Sequence, residues 1–152
     1  MATFDLTQRS DFTAPFYKHS QEVKHGAAEV RSAIFSGADA ATFKGSAVGT
    51  GDVYKLITIP AGALVLGVSY VVTTQEGATS TFNIGDGGGA TTYVTGANGN
   101  AATNTFVGLT TNGIGKYYAT ADSLLLALAS GTAAVLAVKV SISYVLVTPV
   151  AV

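Results

Sequence analysis

The sequence predicts an all-β chain: a jelly-roll-like β-sandwich with an extended N-terminal arm. Three observations lead there. Ala, Val, Thr and Gly are abundant, with glycine at 18 of 152 residues, a composition of strands with small side chains joined by tight turns. Short apolar runs with period-two alternation recur at near-regular spacing, each closed by a Gly, Pro or Asn signal. Charge is crowded at one end. Arg9, Lys18, Lys24, Arg31, Lys44 and Lys55 are six of the eight basic residues, and Asp5, Asp11, Glu22, Glu29, Asp39 and Asp52 are six of the nine acidic ones.

In order along the chain, residues 1–36 read as an arm and residues 37–152 as the β-sandwich body. In the arm Phe4, Leu6, Phe12, Phe16 and Tyr17 are scattered through polar sequence without sustained periodicity. A solvated tail has no need of them, whereas an arm lying on another surface can anchor each aromatic in a pocket. A short helix is indicated around Ser20–Val30. Glu29–Phe35 is a candidate first strand, ended by Ser36-Gly37. Asp52–Ile59 is a strand stopped at Pro60-Ala61-Gly62, where proline fixes φ and glycine permits positive φ. Leu64–Thr74 alternates, which places Leu64, Leu66, Val68, Tyr70 and Val72 on one face. Ser80–Ile84 follows, with Phe82 and Ile84 on one side, and the Gly85–Gly89 run (GDGGG) reads as a hairpin loop. Thr91–Thr95, Thr103–Leu109, Lys116–Ala119, Ser123–Leu128 and Ala134–Val147 complete the set. In the last of these, Leu136, Val138, Val140, Ile142, Tyr144 and Leu146 face one way, and Lys139, Ser141 and Ser143 the other. Eight or nine such strands suit a sandwich or barrel; the strand count and long terminal strands suit a jelly roll, and propensity alone does not distinguish it from an immunoglobulin-like sandwich.

Charged residues make up only 11% of the chain, against about 25% in an average soluble domain. The formal net charge of −1 gives no global attraction to nucleic acid or to an anionic membrane. With no cysteine there is no disulfide framework and no thiolate metal site. The opening MATFDLTQRSDF has no apolar run after a basic start, so it is not expected to be a secretory signal. Residues 124–138 (LLLALASGTAAVLAV) are apolar enough to suggest a membrane span, but Gly131-Thr132 break the run and Lys139 closes it.

Catalytic chemistry finds little support. A nucleophilic triad needs a nucleophile, a base and an orienting group, and the only histidines, His19 and His25, sit in the arm. Their spacing of six suits neither a helix face nor a zinc pair. Glu76, Asp86 and Asp122 are the only carboxylates of residues 56–152, and Glu76 and Asp86 sit beside glycines, where turn chemistry is their expected role. The glycine run lacks the P-loop lysine and leads into a strand, and one aspartate cannot form a calcium loop. Lys116 beside Tyr117 and Tyr118 is no basic stripe. The expectation is therefore no enzyme activity, no cofactor, no metal, and neither a nucleic-acid nor a membrane partner.

Lys55–Gly88, KLITIPAGALVLGVSYVVTTQEGATSTFNIGDGG, resembles small capsid decoration (cement) proteins and related virion proteins of tailed bacteriophages. In that pattern a strand ends in I-P-A-G, a valine-rich strand follows, and a short segment reaches a G-D-G turn. KYYATADSLLLAL and VKVSISYVLV resemble their closing strands, so the likeness spans residues 52–148. It implies a jelly-roll-like domain seated on the capsid exterior, often as a homotrimer. The partners it implies are the major capsid protein and other copies of the chain. It also implies synthesis in the host cytoplasm. The segment that would grip the capsid corresponds to about Ala2–Ser36, with Phe4, Arg9, Phe12, Phe16, Tyr17, Lys18, Lys24 and Arg31 as candidate contact residues. Two rival readings are a tail-fibre, spike or head-fibre component, and a carbohydrate-binding module using Tyr70, Tyr93, Tyr117 and Tyr118 as a platform.

Overall fold

A computed structural model describes residues 3–5, 27–101, 104–105, 113 and 115–147. They form an all-β sandwich of jelly-roll-like character, with one short helix. The strands are β1 (Thr3–Asp5), β2 (Ala28–Ser36), β3 (Val53–Ile59), β4 (Ala63–Thr74), β5 (Thr81–Asp86), β6 (Gly89–Asn98), β7 (Asn104–Thr105), β8 (Tyr117–Tyr118), β9 (Asp122–Ser130) and β10 (Ala137–Leu146), and α1 is Gly37–Lys44. Sheet I has the order β1-β3-β9-β5-β6 and sheet II the order β2-β10-β4-β7, with β8 also on β4. All pairings are antiparallel except β1 with β3.

The alternation in β10 works as the sequence predicts. Val138, Val140, Ile142 and Tyr144 are fully buried between the sheets, as is Leu136 just before the strand, while Leu146 packs partly against the same core. Phe82 and Ile84 on β5 and Leu124, Leu126 and Leu128 on β9 meet them from sheet I. Aromatic pairs bridge the layers. Phe35 packs on Tyr54 with ring centroids 5.2 Å apart, and Tyr70 meets Phe82 edge-on at 5.3 Å. The apolar 124–138 run forms β9 and the connection into β10. No helix among the described residues is long and apolar enough to cross a membrane.

Two expectations need correction. In β4 the buried set is Ala63 and Val65, then Val68, Tyr70 and Val72, so Leu64 and Leu66 leave the predicted face. The cause is a bulge: β10 pairs Ser143 with Gly67 but Tyr144 with Val65, which leaves Leu66 unmatched. An extra residue reverses the alternation of everything before it. Replacing Leu66 with threonine should therefore shift stability by no more than about 0.5 kcal/mol. The same change at Val65 should cost about 1–3 kcal/mol by burying a hydroxyl without a partner, and urea denaturation would rank the two. The opposite ranking would remove the bulge.

The strand end read at Ser36-Gly37 is where β2 stops, and the chain passes there directly into α1. Ser36 caps α1, its side-chain oxygen accepting from the Asp39 amide at 3.3 Å, and the Gly37 amide donates to the Leu136 carbonyl at 2.8 Å. The second correction concerns the helix indicated around Ser20–Val30. Residues 28–30 are strand, and residues 20–26 lie outside the described residues. The strand read over Glu29–Phe35 is β2, paired along its length with β10, so the last residues grouped with the arm lie within sheet II.

Candidate functional site

The most concentrated polar chemistry lies at one end of sheet I, where the sequence showed only a glycine-rich hairpin. β5 ends at Asp86, Gly87-Gly88 turn the chain, and β6 begins at Gly89. The Asp86 side chain is buried. Its Oδ1 accepts from the amides of Gly88 at 3.0 Å and Gly89 at 3.1 Å. The Thr92 hydroxyl lies 3.1 Å from Oδ1 and 2.8 Å from the Gly89 carbonyl, and its single proton serves one at a time. The Asp86 Oδ2 accepts from Lys116 Nζ and from the Tyr118 hydroxyl. Because Tyr118 gives its proton to Asp86, the Tyr93 hydroxyl next to it must be the donor of the Tyr93–Tyr118 pair. Lys116 also sits 5.1 Å from the centre of the Tyr118 ring. Asp122 closes the loop from the side, its Oδ1 accepting from the Gly87 amide at 3.1 Å.

The electrostatics follow from this geometry. Burial pushes the Asp86 carboxyl up, but the hydrogen bonds from Lys116 and Tyr118, the Lys116 charge and Thr92 together outweigh it and hold the pKa below the ordinary value. Burial pushes the Tyr93 hydroxyl up to about 12. It raises Tyr118 as well, reinforced by the hydrogen bond to Asp86. At neutral pH, Asp86 is therefore a saturated anion and both tyrosines are neutral. None of the three is poised to exchange a proton, so the cluster acts as a clasp between the β5–β6 hairpin and β8. The turn role expected of Asp86 is present, and two further partners, Lys116 and Tyr118, come from beyond the turn.

The other two buried carboxylates of the body end also bind backbone. Glu76 Oε2 accepts from the amides of Val135 and Leu136, each at 3.0 Å. Asp52 takes Lys44 from the last turn of α1 at 2.5 Å and the Gly49 amide at 3.0 Å. Burial raises its pKa, and Lys44 with Gly49 brings the balance below normal.

Of the candidate arm residues, Phe4 lies on β1 and Arg31 on β2. Arg9, Phe12, Phe16, Tyr17, Lys18 and Lys24 lie outside the described residues, as do His19 and His25. The Arg31 side chain is engaged within the sandwich: its Nε donates to Glu29 at 2.5 Å, and its guanidinium lies 5.7 Å from the centre of the Tyr144 ring. The proposed tyrosine platform is not assembled. Tyr70, Tyr93 and Tyr118 are buried, and only Tyr117 is exposed, at 40%.

No family model matches the chain, and no curated protein matches it. Solved structures do. A chain of the cyanophage Pam1 capsid asymmetric unit superposes with a TM-score of 0.63 at 24% identity, over 81% of this chain and 87% of that one. A chain in the acidic stable capsid structure of Helicobacter pylori bacteriophage KHP30 gives 0.53 at 18% identity, over 81% and 90%. A chain in the capsid of Ralstonia phage GP4 gives 0.53 at 19%, over 82% and 88%. At these identities the likeness is one of fold. High coverage on both sides means that the matched chains are close to this one in length.

Proposed function

We propose that the chain is a structural protein of a bacteriophage virion that binds the outer capsid surface and stabilises the head, as a decoration or cement protein. The observation that carries this reading is the fold, shared over about four-fifths of its length with three chains from phage capsids that are each nearly covered in return. The residues agree with it. The buried carboxylates Asp86 and Glu76 hold backbone amides of neighbouring segments. The outward side of sheet II is nearly free of charge: Val30, Ser32 and Ile34 on β2 stand beside Ser143, Ser141 and Lys139 on β10. Such a surface does little to repel neighbours.

The proposed partners are the major capsid protein and further copies of the chain in a homotrimer. In this assembly residues 1–36 supply the grip. Three arms held together convert weak contacts into stable attachment through effective concentration.

The test is co-sedimentation of the purified protein with mature, undecorated heads of its own phage. Saturable pelleting at a fixed ratio to capsid protein, with heads that resist higher temperature, is the expected result. No pelleting by folded protein overturns the reading. A deletion ending at residue 26 leaves β2 whole and tests the arm. Loss of several aromatic anchors should weaken binding by about tenfold or more, and undiminished binding would remove the arm from the account.

A further inference from the structure

The strands at the edges of the two sheets are not alike. β1 has 3 residues and β7 has 2, too short to template another strand. β6 is interrupted by register shifts against β5. β2 differs from all of them. It runs for 9 residues, pairs with β10 from Ala28 to Ser36 without a register shift, and contains no proline. Edge strands in natural proteins usually carry a bulge, a proline or unpaired charges, outward or inward, that discourage pairing. The two charges of β2, Glu29 and Arg31, lie on its inward side and pair with each other. The outward side presents Val30, 67% exposed, Ser32, and Ile34, 48% exposed. Among the described residues no strand pairs with the far edge of β2.

We propose that this edge takes β2 of a second copy of the chain, antiparallel about a two-fold axis at Ser32, so that sheet II runs continuously through both copies. The pattern is self-complementary. In this register Val30 of each copy lies opposite Ile34 of the other, and Ser32 lies opposite its own counterpart. Cross-strand apolar pairs and a neutral centre favour the arrangement. Charge favours it too: Glu29 and Arg31 cancel within each strand, and the whole chain carries only −1, so two copies meet without repulsion. One strand pair with four apolar side chains falls short of the roughly 1,000 Å² of a stable specific interface. The contact is therefore weak and concentration-dependent in the free protein. It is independent of the capsid reading. A two-fold contact cannot close a three-fold ring, so in a trimer the β2 edges stay free to join one trimer to the next.

The chain has no cysteine, so Ser32→Cys introduces a single thiol at an exposed position. Directly opposed residues of an antiparallel pair have Cα atoms about 4.5–5.5 Å apart, within disulfide range. Mild oxidation of concentrated protein should give a covalent dimer whose yield falls on dilution. Adding Val30→Lys and Ile34→Lys, both at exposed positions, should cut that yield by about tenfold or more with circular dichroism and melting temperature unchanged. Sedimentation velocity of the cysteine-free protein with and without the two lysines should show the same loss of association. Absence of the cross-link, or a cross-link indifferent to the lysines, overturns the proposal. So does protection from hydrogen exchange, in dilute monomer, of the β2 amides that point away from β10, which would mean that the chain itself covers this edge.

Discussion

Asp86→Ala is expected to lower the stability of the protein by about 3–5 kcal/mol, the range for breaking a buried ion pair from one side. That is a large share of the roughly 5–15 kcal/mol that holds a domain together. The reason is the number of groups stranded by one substitution. The amides of Gly88 and Gly89 lose their acceptor, and Tyr118, which is buried, keeps a hydroxyl with Tyr93 as its remaining neighbour. Lys116 is 35% exposed and can turn to water, so it contributes the smaller part. Asp86→Asn keeps an acceptor for the hairpin amides and should cost less. The pair of variants separates charge from geometry. Because the folded pKa of Asp86 lies below its ordinary value of 3.8, its charge stabilises the fold above that value. The contribution is lost as pH falls through the lower, folded value. The stability difference between the wild type and Asp86→Asn should thus be flat from neutral pH down to about pH 5 and shrink below pH 4. Guanidinium denaturation across that range measures it. A difference that grew on acidification would mean that Asp86 is protonated in the folded protein.

The sequence made β10 plain because its buried set is continuous. Leu136 to Tyr144 keep period two without interruption, and each is buried. β4 was legible only from Val68 onward. A bulge is one residue inserted in a ladder, and LVLGV carries the same apolar letters whether Leu66 or Val65 points inward. The partner strand decides, and the partner lies more than 70 residues away. α1 had a local signal that could have been read: Ser36 followed three residues on by Asp39, then Gly45 after Lys44, a capping serine, an acidic first turn and a glycine stop. Eight residues without an apolar stripe gave no period to support it.

The Asp86 clasp divides in the same way. Its bonds to Gly88, Gly89 and Thr92 are within 6 residues and belong to turn chemistry. Lys116 and Tyr118 arrive from 30 and 32 residues away, carried there by β8 pairing with β4. In the dipeptide Tyr117-Tyr118, strand alternation buries one ring and exposes the other. No composition argument distinguishes them, which is why a row of four tyrosines looked available as a binding platform when three are core.

Gly131→Ala should be the most disruptive single-methyl addition in the connection between β9 and β10. In the sequence Gly131 served to break an apolar run, and the structure gives that break a physical cause. Gly131 follows the last residue of β9 with φ at +76°, and a Cβ placed on it would sit 1.9 Å from the carbonyl oxygen of Thr79. Two costs combine. The left-handed backbone costs an alanine about 1–2 kcal/mol. Relief of a backbone collision requires β9 or the β4–β5 connection to move, an overpacking cost of about 1–3 kcal/mol. The sum, about 2–5 kcal/mol, corresponds to a fall in melting temperature on the order of 10 °C for a domain of this size. Gly45→Ala is the control. Gly45 has the same φ of +76° at the end of α1, but nothing lies within 4 Å of its would-be Cβ, so it carries only the conformational cost of about 1–2 kcal/mol. Calorimetry of both variants should show Gly131→Ala melting clearly below Gly45→Ala. Equal melting temperatures would mean that the Thr79 carbonyl yields freely. The close approach of the two connections would then not be part of what fixes the register of β9 in sheet I.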